Sequence, residues 1–203
     1  MVTEAFDRAN VEPYCTAADL SAVASETLAA AADSEVEYYT LCFEAAAEQA
    51  GANPENAPAV GRAYKTIGGH SAVELLPDTK AVLRELREIY MLGLVTNGLK
   101  EIQQKKVETL GIGDFFDTIV FATPEKGYKP ELAPFKYALS DLNAAPDEAV
   151  HVGDSLQADV AGANAAGLCS VWITQEESPR ELADDVSRPD QTINTLHDLK
   201  SVL

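Results

Sequence analysis

Six residues in three separated segments could do chemistry together. Thr96, Asn97 and Gly98 end the apolar run of "LGLVTNG"; Lys129 lies in "TPEKGYKPE" behind Lys126; Asp154 and Asp159 stand five residues apart in "AVHVGDSLQAD". A hydroxyl with adjacent turn amides can hold the oxygens of a tetrahedral anion, and a lysine can offset their charge. A carboxylate pair can hold Mg2+ through hard oxygen donors. The set suits a phosphoryl group, provided all three segments end on one rim.

The elements around them supply that rim. Short apolar runs at 92–96, 118–122, 149–152 and 169–173 alternate with helical stretches at 78–90, 100–110, 131–142 and 157–166. Such alternation predicts right-handed βαβ units around a parallel sheet. Ligands of open parallel sheets bind outside the carboxyl ends of the strands, where all six residues fall. The tail adds a short strand near Thr192-Ile193 and a helix over "TLHDLKSVL". The first 75 or so residues read as helix only: 19–32, then 35–51 with Gly51 as its stop, then "NAPAVGRAYKTIG". The expected fold class is α/β, a doubly wound parallel sheet over 76–203 behind an N-terminal helical lobe over 1–75.

These residues resemble the haloacid dehalogenase (HAD) superfamily, phosphohydrolases with an aspartate nucleophile. "LVTNG" resembles the second family motif, "GYKPE" the third and "VGDSLQAD" the fourth, in order across about residues 75 to 175. The resemblance implies a Rossmann-like core with a small helical cap, and Mg2+-dependent hydrolysis of a small phosphorylated metabolite. Thr96, Asn97 and Gly98 would bind the phosphoryl oxygens and Lys129 would hold the nucleophile and the phosphoryl group. Asp154 would be the magnesium ligand, with Asp159 as its supporting acid. Dehalogenases proper use no metal and generally lack this acid pair. Receiver domains of response regulators also combine Asp, Thr and Lys, but there the acid pair precedes the other two.

The family's first motif, an apolar strand ending in DxDxT, is not found. Asp7 in "EAFDRANVE" is followed by Ala9 and Val11 where Asp and Thr would stand, and "TEAFDRANVEPYCTAADL" reads as a helix with a turn at Pro13. In the family the first strand lies between those carrying Thr96 and Asp154, so both should show unpaired edges. Either the chain starts at an internal methionine, which is the expectation here, or it is an inactive relative with a rearranged sheet. The alternative function is accordingly a non-catalytic HAD-like protein that binds phosphate compounds or a partner.

Composition narrows the partners. Against 33 acidic residues stand 15 basic ones, net −18, a field that repels nucleic acid and anionic membranes. The acids are dispersed (Glu4, Asp7, Asp19, Glu26, Asp33, Glu35, Glu37) and read as solvated faces, a pattern similar to proteins of salt-accumulating organisms. Cys15, Cys42 and Cys169 lack metal-site spacing and read as buried structural thiols in a cytoplasmic protein. No membrane-length apolar run or signal-peptide pattern occurs. His151 reads as a satisfied core histidine, His197 as a surface residue, and His70 as a candidate substrate contact.

Overall fold

The computed structural model describes residues 1–24, 28, 31–68, 73–174 and 187–203. Among these the elements run α1 (Val2–Ala9), α2 (Ala17–Val23), α3 (Glu35–Ala50), α4 (Ala57–Thr66), α5 (Thr79–Arg87), β1 (Gly93–Thr96), α6 (Lys100–Leu110) and β2 (Thr118–Phe121). Then come α7 (Leu132–Leu142), β3 (Val150–Gly153), α8 (Ala161–Ala166), β4 (Cys169–Ile173) and β5 (Gln191–Ile193). The chain divides into two compact units, one of residues 1–74 and 97–110, the other of 75–96 and 111–203.

The first unit is helical. A capping box opens α2, in which Thr16 Oγ1 accepts from the Asp19 amide and Asp19 Oδ2 accepts from the Thr16 amide. Ser34 caps α3 in the same role and Gly51 ends it. Aromatic rings fill the core: Phe6 meets Tyr14 at 4.7 Å and Phe43 at 5.6 Å edge-on, and Tyr64 closes on Tyr39 and Phe43. Each such pair adds about 0.5–1.5 kcal/mol beyond the area it buries. Ile102 of α6 is buried in this cluster. Glu35, expected on a solvated face, is instead buried, its carboxylate held by Lys105 at 2.9 Å and Lys65 at 3.6 Å. A charge so placed is tolerable only because it is paired.

The second unit carries the strands, all in parallel pairs. β1 runs beside β2 with Gly93 opposite Thr118 and Thr96 opposite Phe121. β3 and β4 pair with Val150 opposite Cys169 and Gly153 opposite Trp172, and β5 adds to β4. Phe135 and Leu139 of α7 pack against Ala163 of α8 and Leu168, while Val171, Ile193 and Leu199 form a second cluster. β1 and β3 are not hydrogen-bonded to each other; the strands form one two-stranded and one three-stranded sheet. That break falls where an intervening strand was expected.

Three local expectations change. The tail after β5 is a 3-10 segment, Leu196–Ser201, not an α-helix, with Asp198 accepting the amides of Thr195 and Asn194. The helix expected from 157 opens as a wide π turn, Leu156–Val160, because the Ser155 carbonyl takes the amides of both Asp159 and Val160. Cys42 is buried, but Cys15 is only half-buried and Cys169, the first residue of β4, is exposed. His70, Glu26 and part of the helix expected over 19–32 lie outside the described residues.

Candidate functional site

β3 stops at Gly153 and the chain turns over its own end. The exposed Asp154 follows, its carbonyl accepting from the Trp172 indole N–H at 2.9 Å. Ser155 then caps the π turn, its hydroxyl accepting from the Ala158 amide at 3.0 Å. That turn aims Asp159 back over the strand end, where Oδ2 accepts from the Ser155 amide at 3.0 Å. Gly153 is required by this approach, since a Cβ on it would stand 2.1 Å from the Asp159 carboxyl carbon.

Asp159 is the hub of what converges there. Only 5% of it is exposed. Lys129 Nζ donates to Oδ1 at 2.7 Å, and His151 Nε2 stands 3.0 Å from the same oxygen. Lys129 also donates to the carbonyl of Val95 at 3.0 Å, one residue before the end of β1. Burial alone would raise the Asp159 pKa; the His151 hydrogen bond and the Lys129 ammonium outweigh it and hold the carboxyl well below the usual range. An ionised carboxylate only accepts, so Nε2 is the protonated nitrogen of His151.

The six expected residues are thus distributed unevenly. Lys129 and Asp159 meet directly, and Lys129 reaches β1 beside Thr96, whose own carbonyl pairs with the Ala122 amide at 2.9 Å. Asp154 is placed at the strand tip by chain continuity with Gly153 and by Trp172. Asn97 and Gly98 belong to the helical unit, Gly98 with a φ of +113° that favours glycine. Lys126 lies over the Tyr137 ring at 5.4 Å. Asp7 is exposed on α1.

Two residues of this cluster, His151 and Trp172, were not foreseen there. His151 and Gly153 sit two apart on β3 and share a face; the glycine that admits Asp159 therefore points to the histidine below it. Trp172 is opposite Gly153 in the ladder, but only the strand register shows it.

The donor set can be weighed against a magnesium ion. Asp154 offers an exposed hard carboxylate, which suits an ion that keeps its waters and takes one or two carboxylates with substrate oxygens. Asp159 already carries three donors on its two oxygens and suits a supporting place. Among the described residues no group of three or more His, Cys, Asp or Glu converges. By its donor chemistry, Asp154 would be the ligand that fits such an ion, with Asp159 in a supporting place.

The family model for haloacid dehalogenase-like hydrolases matches residues 19–173. A ribulose-1,5-bisphosphate 5-phosphatase of Halopiger xanaduensis is 35% identical over 156 residues, covering 74% of this chain and 65% of the relative. A phosphoserine phosphatase of Thermus thermophilus is 32% identical over 158 residues, covering 77% and 61%. The chain thus spans less than two thirds of the length of these relatives. Among solved structures, a HAD phosphatase from Thermococcus onnurineus superposes with a TM-score of 0.64 at 25% identity, over 99% of this chain and 85% of that one. The HAD-hydrolase YfnB of Bacillus subtilis, bound to magnesium, superposes with a TM-score of 0.75 at 20% identity over 100% and 90%, which speaks for the fold alone. With the parallel strands, the Lys129–Asp159 pair at their ends and a family match across most of its length, the chain belongs to the haloacid dehalogenase-like hydrolases.

Proposed function

We propose that the protein is a phosphohydrolase acting on a small phosphorylated metabolite with Mg2+. One observation carries this reading: Lys129 bridges the Val95 carbonyl at the end of β1 and the Asp159 carboxylate beyond β3, fixing a cation across two strand ends. Two of the similar proteins above are named as phosphatases of ribulose-1,5-bisphosphate and phosphoserine, which supports the substrate class. Free thiols and the absence, among described residues, of a helix long and apolar enough to cross a membrane fit a cytoplasmic enzyme.

In this reading the Thr96 hydroxyl binds a phosphoryl oxygen and Lys129 offsets its charge, held in place by Asp159. Asp154 would hold Mg2+, which when bound neutralises phosphoryl charge. The attacking carboxylate of the covalent route would come from a strand lying between β1 and β3, which among the described residues are not paired with each other.

The lack of pairing between β1 and β3 and the exposed Asp7 favour a second reading for the chain as given, a phosphate binder without turnover. One experiment separates the two. p-Nitrophenyl phosphate is offered with Mg2+ to this chain and to any in-frame upstream extension carrying an aspartate strand. Turnover by the extended form, lost in Asp154→Asn, supports the enzyme; phosphate binding without turnover in both supports the binder.

A further inference from the structure

We infer that His151 is a positioning residue for Lys129, acting through the oxygen of Asp159 that both share. The inference rests on the reading of Lys129 as the cation that faces a phosphoryl group. Lys129 Nζ and His151 Nε2 approach one atom, Asp159 Oδ1, at 2.7 and 3.0 Å, while Oδ2 is committed to the Ser155 amide. All three side chains are largely enclosed, with 11% of Lys129, 14% of His151 and 7% of Asp159 exposed.

Enclosure makes the sharing consequential. An ammonium and a carboxylate in low dielectric draw tightly together, and an ammonium satisfied by its carboxylate has less charge to offer a substrate. A second donor on the same oxygen takes part of its electron density and limits that draw. It also fixes the carboxylate plane, since His151 and the Ser155 amide hold one oxygen each. His151 is itself held, its ring edge-on to buried Phe135 at 5.0 Å. The imidazole therefore sets how much of the Lys129 charge stays available and where it sits.

The test compares His151→Leu, which removes the donor, with His151→Gln, which keeps an N–H, and uses Lys129→Met as reference. Inorganic phosphate is titrated calorimetrically into each. Lys129→Met should weaken binding at least tenfold; if it does not, the phosphoryl role of Lys129 fails, independently of His151. Given that loss, His151→Leu should weaken phosphate five- to twentyfold and His151→Gln less than twofold. Equal affinity in His151→Leu and the parent overturns the inference, as does equal loss in both variants.

A ligand-free measurement covers a chain that binds phosphate too weakly to titrate. The rate at which acetic anhydride acylates Lys129, followed by peptide mass spectrometry, should fall about threefold in His151→Leu, because the amine is drawn harder against Asp159. In His151→Gln it should match the parent. A histidine that merely props up the fold predicts the reverse, a faster reaction as the site loosens, and that result overturns the inference too.

Discussion

Gly153 lies directly beneath the Asp159 carboxyl group, so close that a Cβ on it would come within 2.4 Å of three Asp159 atoms. The backbone of a strand end thus forms the floor on which the charged hub rests. Gly153→Ala should displace the carboxylate and with it Lys129. The expected cost is about 1–3 kcal/mol, the usual range for overpacking a filled site, read from the urea midpoint. Phosphate affinity should fall in parallel, and an unchanged midpoint would show that Asp159 does not rest on Gly153 in solution.

The hub also dictates how stability responds to acid. The Asp159 pKa in the folded protein lies below its ordinary value of 3.8. Its stabilisation is therefore complete above that value and drains away as pH falls through it toward the folded pKa. Asp159→Asn leaves the enclosed Lys129 ammonium without its counter-charge, which at neutral pH should cost about 3 kcal/mol. The gap between parent and variant should be widest near pH 7 and shrink below about pH 4. Denaturant titrations at pH 7, 5 and 3 check this; a gap that widens in acid would contradict the assigned direction.

How much of this was legible in the residues differs by kind. The strands announced themselves as apolar runs cut off by Thr-Asn-Gly or Gly-Asp, and their parallel arrangement followed from the helices between them. Partners distant in sequence did not show, because a 30-residue separation such as Lys129 to Asp159 is closed by topology alone. Glu35 misled for a related reason: at the first turn of a helix it reads as a solvated acid, yet Lys105, 70 residues on, reaches in from a half-exposed position to pair with its buried carboxylate. The periodicity of α6 foretold a helix but not its neighbours; burial of Ile102 among the aromatic residues of the first unit decides that. In the tail, Asp198 competes for the amides at the start of the segment and favours a tight 3-10 turn.

Trp172 is the chain's one tryptophan, and its indole N–H reports on the residue expected to meet the metal. Mg2+ bound at the Asp154 carboxylate should tighten the loop whose carbonyl the indole holds and shift the emission. The expected result is a saturable fluorescence change on titrating MgCl2, absent in Asp154→Asn. Trp172→Phe removes the donor and shrinks a buried ring, and should cost about 1 kcal/mol for the hydrogen bond plus a further cavity cost. An identical Mg2+ response in Asp154→Asn would move the ion elsewhere.

Ionic strength should matter to the whole chain. A net charge of −18 on 203 residues is self-repulsive, and repulsion among exposed groups is screened within about 10 Å at 0.1 M salt and about 3 Å at 1 M. The exposed acids that generate it include Asp7, Glu12 and Glu48. The Lys129–Asp159 pair is enclosed and should resist screening, whereas the surface field should collapse. Raising KCl from 0.1 to 2 M should therefore increase the melting temperature by about 2–4 °C, a gain near 1 kcal/mol. Neutralising the three exposed acids together, Asp7→Asn, Glu12→Gln and Glu48→Gln, should flatten that salt dependence and raise stability at low salt. If salt instead lowers the melting temperature, favourable ion pairs outweigh repulsion, and the excess of acids is not what limits stability at low salt.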